Sequence, residues 1–222
     1  MYPFMGATAD SHKVEGLAPT DANKILTWVG DISQSLVHTS AGVDKTVATS
    51  DGYGFANTNI DTFHSDVNDI AFGAYVSTAT TGDLGFIISY TGTQGDYNRY
   101  QLNTPYDSNI VYCGFGFAGT LTSYDNTVPA VGMWISSRVS TTDIQLYKNG
   151  SSVVTNTTNN GSGNLNGSPL ELFSAGGSAG TNPVINGFDG VCGFIFGANG
   201  LSGAQVSTLD GILSTDLTAI GR

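Results

Sequence analysis

Between Asp69 and Tyr90 the chain alternates with a period of two. Ile70, Phe72, Ala74 and Val76 fall on one face, and Ala71, Gly73, Tyr75 and Ser77 on the other. After Thr80-Thr81-Gly82, Leu84, Phe86, Ile88 and Tyr90 alternate against Gly85, Ile87 and Ser89. A helix repeats every ~3.6 residues and would scatter these side chains round its axis, so the pattern demands strands. The polar step between the two runs predicts that they form a hairpin.

Further strands are expected at Tyr97 to Leu102, Val111 to Ala118, Val131 to Val139, Asp143 to Lys148, Ser152 to Asn156, Leu170 to Phe173 and Val191 to Phe196. The sharpest local signal is Asn149-Gly150, which tolerates the positive backbone dihedrals of a two-residue hairpin turn between Ile144–Lys148 and Ser152–Thr155. Asn156 to Ser168 and Ser174 to Gly180 are built almost wholly of small and polar residues and predict surface loops. Only 11% of residues are charged and 30 of 222 are glycine, which leaves little material for long surface helices. One helix is expected, at the C-terminus. Ser202 and Gln205 have capping-box spacing, and Val206, Leu209, Leu213 and Leu217 follow at helical intervals. Gly211 weakens that stripe and suggests two short helical turns.

The fold expected is all-β, an antiparallel two-sheet jelly-roll sandwich with a short C-terminal helix. Phe72, Phe86, Phe115, Met133, Leu146 and Ile195 are expected in one core. Residues 1–50 have weak periodicity and read as an attachment or edge-strand segment, residues 51–222 as the jelly roll, the whole forming one compact domain.

Seven Lys plus Arg against eighteen Asp plus Glu give a formal charge of −11, which argues against nucleic acid or an anionic membrane as partner. No run of 18 apolar residues offers a membrane span, and no membrane insertion is expected. Met1-Tyr2-Pro3-Phe4 lacks the basic and apolar regions of a signal peptide, so Met1 is expected to begin the mature chain. Cys113 and Cys192 lie in apolar strand-like runs and read as small buried hydrophobes. The sequons at Asn149, Asn156, Asn160 and Asn166 read as turn composition.

Little points to catalysis. Glycoside hydrolysis needs two facing carboxylates, whereas the only glutamates are Glu15 and Glu171. Glu171, between Leu170 and Leu172, reads as a solvated strand residue without a second acid at glucanase spacing. His12, His38 and His64 are too widely separated for a helical zinc motif, and no phosphate loop or G-x-S-x-G elbow is present. Asp61, Asp66, Asn68 and Asp69 gather hard oxygen ligands of the kind calcium selects, in a spacing unlike the EF-hand loop and equally suited to a polar turn. No other cofactor is expected. Tyr97, Tyr100, Tyr106 and Tyr124 sit among Asn, Gln, Asp and Thr and are candidates for stacking on carbohydrate.

Val131-Gly132-Met133-Trp134-Ile135-Ser136-Ser137-Arg138, followed by Leu146-Tyr147-Lys148-Asn149-Gly150, resembles the concanavalin A-like, laminin G-like jelly roll. In that family a strand ending in Arg precedes such a hairpin, and a later Gly-rich strand runs through Gly-Leu-Ser into a helix. Gly190 to Ser202 supplies that last part, so the likeness covers roughly residues 69–222. The opening Met1 to Thr8 with Ser11-His12-Lys13, the segment Asp51 to Thr58 and the close Ala219-Ile220-Gly221-Arg222 resemble bacteriophage virion proteins carrying this jelly roll. The resemblance implies a non-enzymatic structural protein on the virion surface, in capsid or tail, assembled in the host cytoplasm. Its expected partners are other virion proteins, further copies of itself as a homotrimer, and host-surface glycan. The alternatives are a depolymerase of the glucanase class, disfavoured by the missing acid pair, and a free carbohydrate-binding module.

Overall fold

The computed structural model describes residues 8, 26–29, 36–44, 53–59, 66, 68–79, 86–91, 99–106, 110–116, 121–125, 131–158, 169–173, 188 and 190–219. Among these, fourteen strands form two antiparallel seven-stranded sheets. The strands are β1 (Leu26–Val29), β2 (Val37–Thr39), β3 (Gly42–Asp44), β4 (Tyr53–Asn59), β5 (Ile70–Ala79), β6 (Phe86–Thr91) and β7 (Arg99–Tyr106). They continue as β8 (Ile110–Gly116), β9 (Leu121–Asp125), β10 (Gly132–Ser140), β11 (Asp143–Lys148), β12 (Ser151–Asn156), β13 (Pro169–Leu172) and β14 (Gly190–Ala198), and one helix, α1 (Gly203–Ala219), follows. One sheet has the order β1-β4-β13-β6-β7-β8-β9 and the other β12-β11-β10-β5-β14-β3-β2. This is the expected jelly-roll sandwich. The described part of residues 1–50 supplies strands to both sheets, β1 to one edge and β2-β3 to another.

The two sheets meet where alternation predicted. Ile70, Phe72, Ala74 and Val76 all enter the main core, together with Phe115, Leu146 and Ile195. Phe72 of β5 and Phe115 of β8 stack across the sandwich with centroids 5.4 Å apart and ring planes 10° from parallel. Cys113 and Cys192 are both buried in the same core. The Asn149-Gly150 turn has φ of 47° and 73°, as a two-residue hairpin requires, and Asn149 Oδ1 accepts a hydrogen bond from Met133 N at 2.8 Å.

Three expectations need correction. The runs of β5 and β6 do not form a hairpin: β5 pairs with β10 and β14, and β6 with β7 and β13 in the opposite sheet. β5 is buried along most of its length on both faces and takes a neighbour along each edge, while β6 belongs to the opposite sheet. Met133 does not enter the main core. Trp134 occupies that face of β10, while Met133 and Ile135 point outward into a second cluster with Tyr147, Phe194, Phe196, Val206, Leu213 and Leu217. Finally, α1 is one continuous seventeen-residue helix. A Cβ at Gly211 would meet nothing within 4 Å, so that glycine lies on the open side and does not interrupt the packed stripe. The side chain of Phe86 and the loop positions 159–168 and 174–180 lie outside the described residues.

The helix is held in place at its start. Gln205 N donates to Ser202 Oγ at 3.4 Å and Ser202 N to Gln205 Oε1 at 2.9 Å, completing the predicted capping box. Ser137 Oγ on β10 accepts from Leu201 N at 2.7 Å, tying the segment before the helix to the sheet. Phe196 lies flat against Gly73, where a Cβ would come within 2.0 Å of its ring. Any larger residue at 73 would drive that ring out from under α1.

Candidate carbohydrate-binding face

The outer face of the other sheet is different in kind. Leu172, Leu102 and Cys113 enter the main core, so their neighbours Glu171, Gln101, Asn103, Tyr112 and Gly114 belong to the opposite face. Register brings these together: Glu171 pairs with Ser89, Ser89 with Gln101, Gln101 with Gly114, and Asn103 with Tyr112. Two strand spacings separate Glu171 from Gln101, about 10 Å, and Asn103 follows Gln101 by about 7 Å along β7.

A face turned away from a core normally leaves its polar side chains in water. Here Gln101 and Asn103 are each 1% exposed and Glu171 is 2% exposed. Glu171 is therefore not the solvated residue its flanking leucines suggested. Gln101 Oε1 and Asn103 Oδ1 are buried and accept no hydrogen bond. Burying an amide oxygen unpaired costs about 1–3 kcal/mol, so two side by side are unusual unless something else supplies donors. Exposure rises toward the sheet edge, where Tyr112 is half-buried and its register partner Ser123 on β9 is exposed. Gly114, in register with Gln101, adds no side chain on that face and is itself buried.

The predicted stacking residues distribute differently. Tyr97 lies outside the described residues. Tyr100 and Tyr106 belong to β7, with Tyr100 in register with Phe115 and Tyr106 with Ile110. Tyr124 is partly buried against the main core, with its ring 6.2 Å from that of Trp134, so part of its surface is used in packing. Tyr112, Gln101 and Asn103 were not singled out from sequence. The signal available was the polar alternation of Arg99, Gln101 and Asn103 around core-facing Leu102.

Of the calcium candidates, Asp61 lies outside the described residues. Asp66 Oδ1 accepts from Asn68 N at 2.8 Å, an Asx turn, and Asp69 Oδ1 accepts from Gly200 N at 2.9 Å, joining the start of β5 to the end of β14. Among the described residues no three His, Cys, Asp or Glu side chains converge as metal ligands.

No protein-family model matches the chain, and no curated protein sequence is significantly similar to it. Solved structures of like fold do exist. Domain 4 of AbnA, a GH43 extracellular arabinanase from Geobacillus stearothermophilus solved in complex with arabinotriose, aligns with TM-score 0.53 at 13% identity, over 84% of this chain and 88% of that one. The binding domain of botulinum neurotoxin serotype D aligns with TM-score 0.54 at 10% identity, over 90% of this chain and 50% of that one. Botulinum neurotoxin type C, whose cell entry depends on interaction with two ganglioside molecules, aligns with TM-score 0.50 at 10% identity, over 75% and 41%. The chain thus spans most of the arabinanase domain and half or less of the toxin chains. At such identities the likeness is one of fold.

Proposed function

We propose that this chain is a non-enzymatic glycan-recognition domain that binds sugar on the outer face of β13-β6-β7-β8. The observation that carries the reading is the pair of buried, unpartnered acceptor oxygens on Gln101 and Asn103, next to the half-exposed ring of Tyr112. Amides that orient hydroxyls beside an aromatic ring that takes a pyranose or furanose face are the usual make-up of a sugar site. Domains of like fold that were solved with arabinotriose, or that depend on gangliosides, support the same reading. Titration of the purified chain against an oligosaccharide panel tests it: saturable binding that weakens at least tenfold in Asn103→Ala, with an unchanged melting temperature, is the expected result.

The absence of turnover belongs to this proposal. Glu171 is the one acidic side chain among the described residues of the face, and a single carboxyl group cannot supply both acid and base. Reducing-end release from capsule, lipopolysaccharide or β-glucan that is lost in Glu171→Gln would overturn it.

The setting we propose is the surface of a phage particle, in capsid or tail, with the chain as a homotrimer among other virion proteins. This part is supported by the resemblance of both termini and of Asp51–Thr58 to virion proteins. Mass spectrometry of purified particles reads out presence and copy number, and light scattering on the full chain reads out the oligomer. The full chain is the material to use, because removing residues 1–50 would strip β1, β2 and β3 from the two sheets.

A further inference from the structure

We infer that α1 is a pH-sensitive cover: charge on Asp210 loosens the helix from its seat, and its release uncovers an apolar face of the sheet while the main core stays closed. The inference is independent of the glycan-binding reading.

The seat is made by one stripe of the helix. Its buried residues are Val206, Leu213 and Leu217, and Asp210 falls four positions after the first and three before the second, on the same face. A carboxyl group therefore stands within the apolar stripe. A Cβ at Gly150 would lie 3.1 Å from Asp210 Oδ2, which places the carboxyl against the β11-β12 turn, and Oδ1 is buried without a hydrogen-bond partner. A protonated carboxyl tolerates that position, whereas an ionised one loses its hydration there without compensation.

The charged groups of the elements around the seat are turned elsewhere. Arg138 on β10 donates into the sandwich to the Phe115 carbonyl, and Lys148 on β11 holds its ammonium 5.0 Å from the ring centre of Trp134, on the core side. Tyr147 on β11 donates to Gln145 Oε1, and Gln145 Nε2 donates to Asp143 Oδ1. Asp69, ahead of β5, accepts from Gly200 N, while Tyr75 on β5 stacks on Phe194. Cys192 on β14 lies in the main core, β12 carries no titratable side chain, and Asp216 on α1 is exposed.

The rest of the helix adds no polar tie to the sheet. Among the described residues, the side-chain hydrogen bonds of α1 close within the helix and its cap: Ser202 with Gln205, and Thr208, Thr215 and Thr218 each with the carbonyl four residues back. The bonds that anchor this part of the chain, Gly200 N to Asp69 and Leu201 N to Ser137, precede it. They form the pivot. What α1 covers, Met133, Ile135, Phe194 and Phe196, is a cluster separate from the main core, so the helix can lift as a unit of its own. Burial raises the Asp210 carboxyl above the ordinary 3.8. Seating is therefore tightest below 3.8 and weakens as pH rises through the higher value of the seated helix.

Hydrogen exchange read by mass spectrometry on the full chain, in acid and at neutral pH and corrected for the intrinsic exchange rate, tests this. The expected result is protection of α1 amides at least about threefold lower at neutral pH than in acid, with no matching loss in β5 and β14. Asp210→Asn and Asp210→Ala should each keep the acid level of protection at neutral pH, while Asp216→Asn should behave as the parent. Equal protection of α1 in acid and at neutral pH would overturn the inference. So would a fall that persists in both Asp210 variants, one that Asp216→Asn also removes, or opening of α1 only together with β5 and β14.

Discussion

Arg138 Nη1 on β10 donates a hydrogen bond across the sandwich to the backbone carbonyl of Phe115 on β8, 3.4 Å away. The side chain is completely buried, and its Nε donates to the Ser140 carbonyl at 3.1 Å. A guanidinium so placed ties the two sheets through fixed, directional donors that no apolar residue supplies. Arg138→Met keeps most of the bulk and removes the donors. It should cost about 1–3 kcal/mol, read as a lower urea midpoint with an unchanged slope. Arg138→Lys should not restore the loss, because one ammonium cannot reproduce the planar fork.

Phe115 also carries the apolar side of the same junction, stacked on Phe72 at 5.4 Å and 2% exposed. Phe115→Ala should destabilise the fold by about 3–5 kcal/mol, since the cavity opens between two sheets that cannot both close on it. Equilibrium chemical denaturation measures this. A cost below that expected for a surface residue would show that the rings do not form the centre of the core.

The helix covers the outer face of one sheet. A chain ended at Gly200 would uncover Met133, Ile135, Phe194 and Phe196, all buried in the full structure. That is an apolar patch of the size that drives association. The shortened chain should bind a hydrophobic dye and self-associate at micromolar concentration, as dye fluorescence and light scattering would report, while far-ultraviolet dichroism keeps its β signature.

Asp210 of α1 lies beside the Asn149-Gly150 turn, and a Cβ at Gly150 would stand 3.1 Å from its Oδ2. Burial raises its carboxyl above the ordinary aspartate value of 3.8, and Oδ1 has no hydrogen-bond partner. The folded chain therefore holds this proton more tightly than the unfolded one. The linked stability is complete below 3.8 and is lost as pH rises through the higher folded value. Asp210→Asn should match the parent in acid and melt at a higher temperature at neutral pH. Melting curves across that range check the divergence.

Local signals were legible from residues alone. The alternation of Ile70, Phe72, Ala74 and Val76, the Asn149-Gly150 turn and the Ser202/Gln205 cap depend on neighbours within a few positions, and each forms as read. Strand partnership was not, because it depends on edges that distant strands compete for. Thr80-Thr81-Gly82 looked like a hairpin turn, yet β10 and β14 claim both edges of β5.

By itself, then, the sequence determined that this chain forms strands, where the tightest turn falls and that a capped helix closes it. Tertiary structure alone decided the faces. On β10 the outward residues Met133 and Ile135 are as apolar as Trp134, because a helix rather than water covers them, and with both faces apolar the alternation that tells inside from outside disappears. Glu171, Gln101 and Asn103 show the converse. Glu171 was read as solvated from its flanking leucines, but the register of β13, β6 and β7 gathers it with Gln101 and Asn103 on one buried face, and burial depends on what the whole fold lays over a surface rather than on the polarity of the residue.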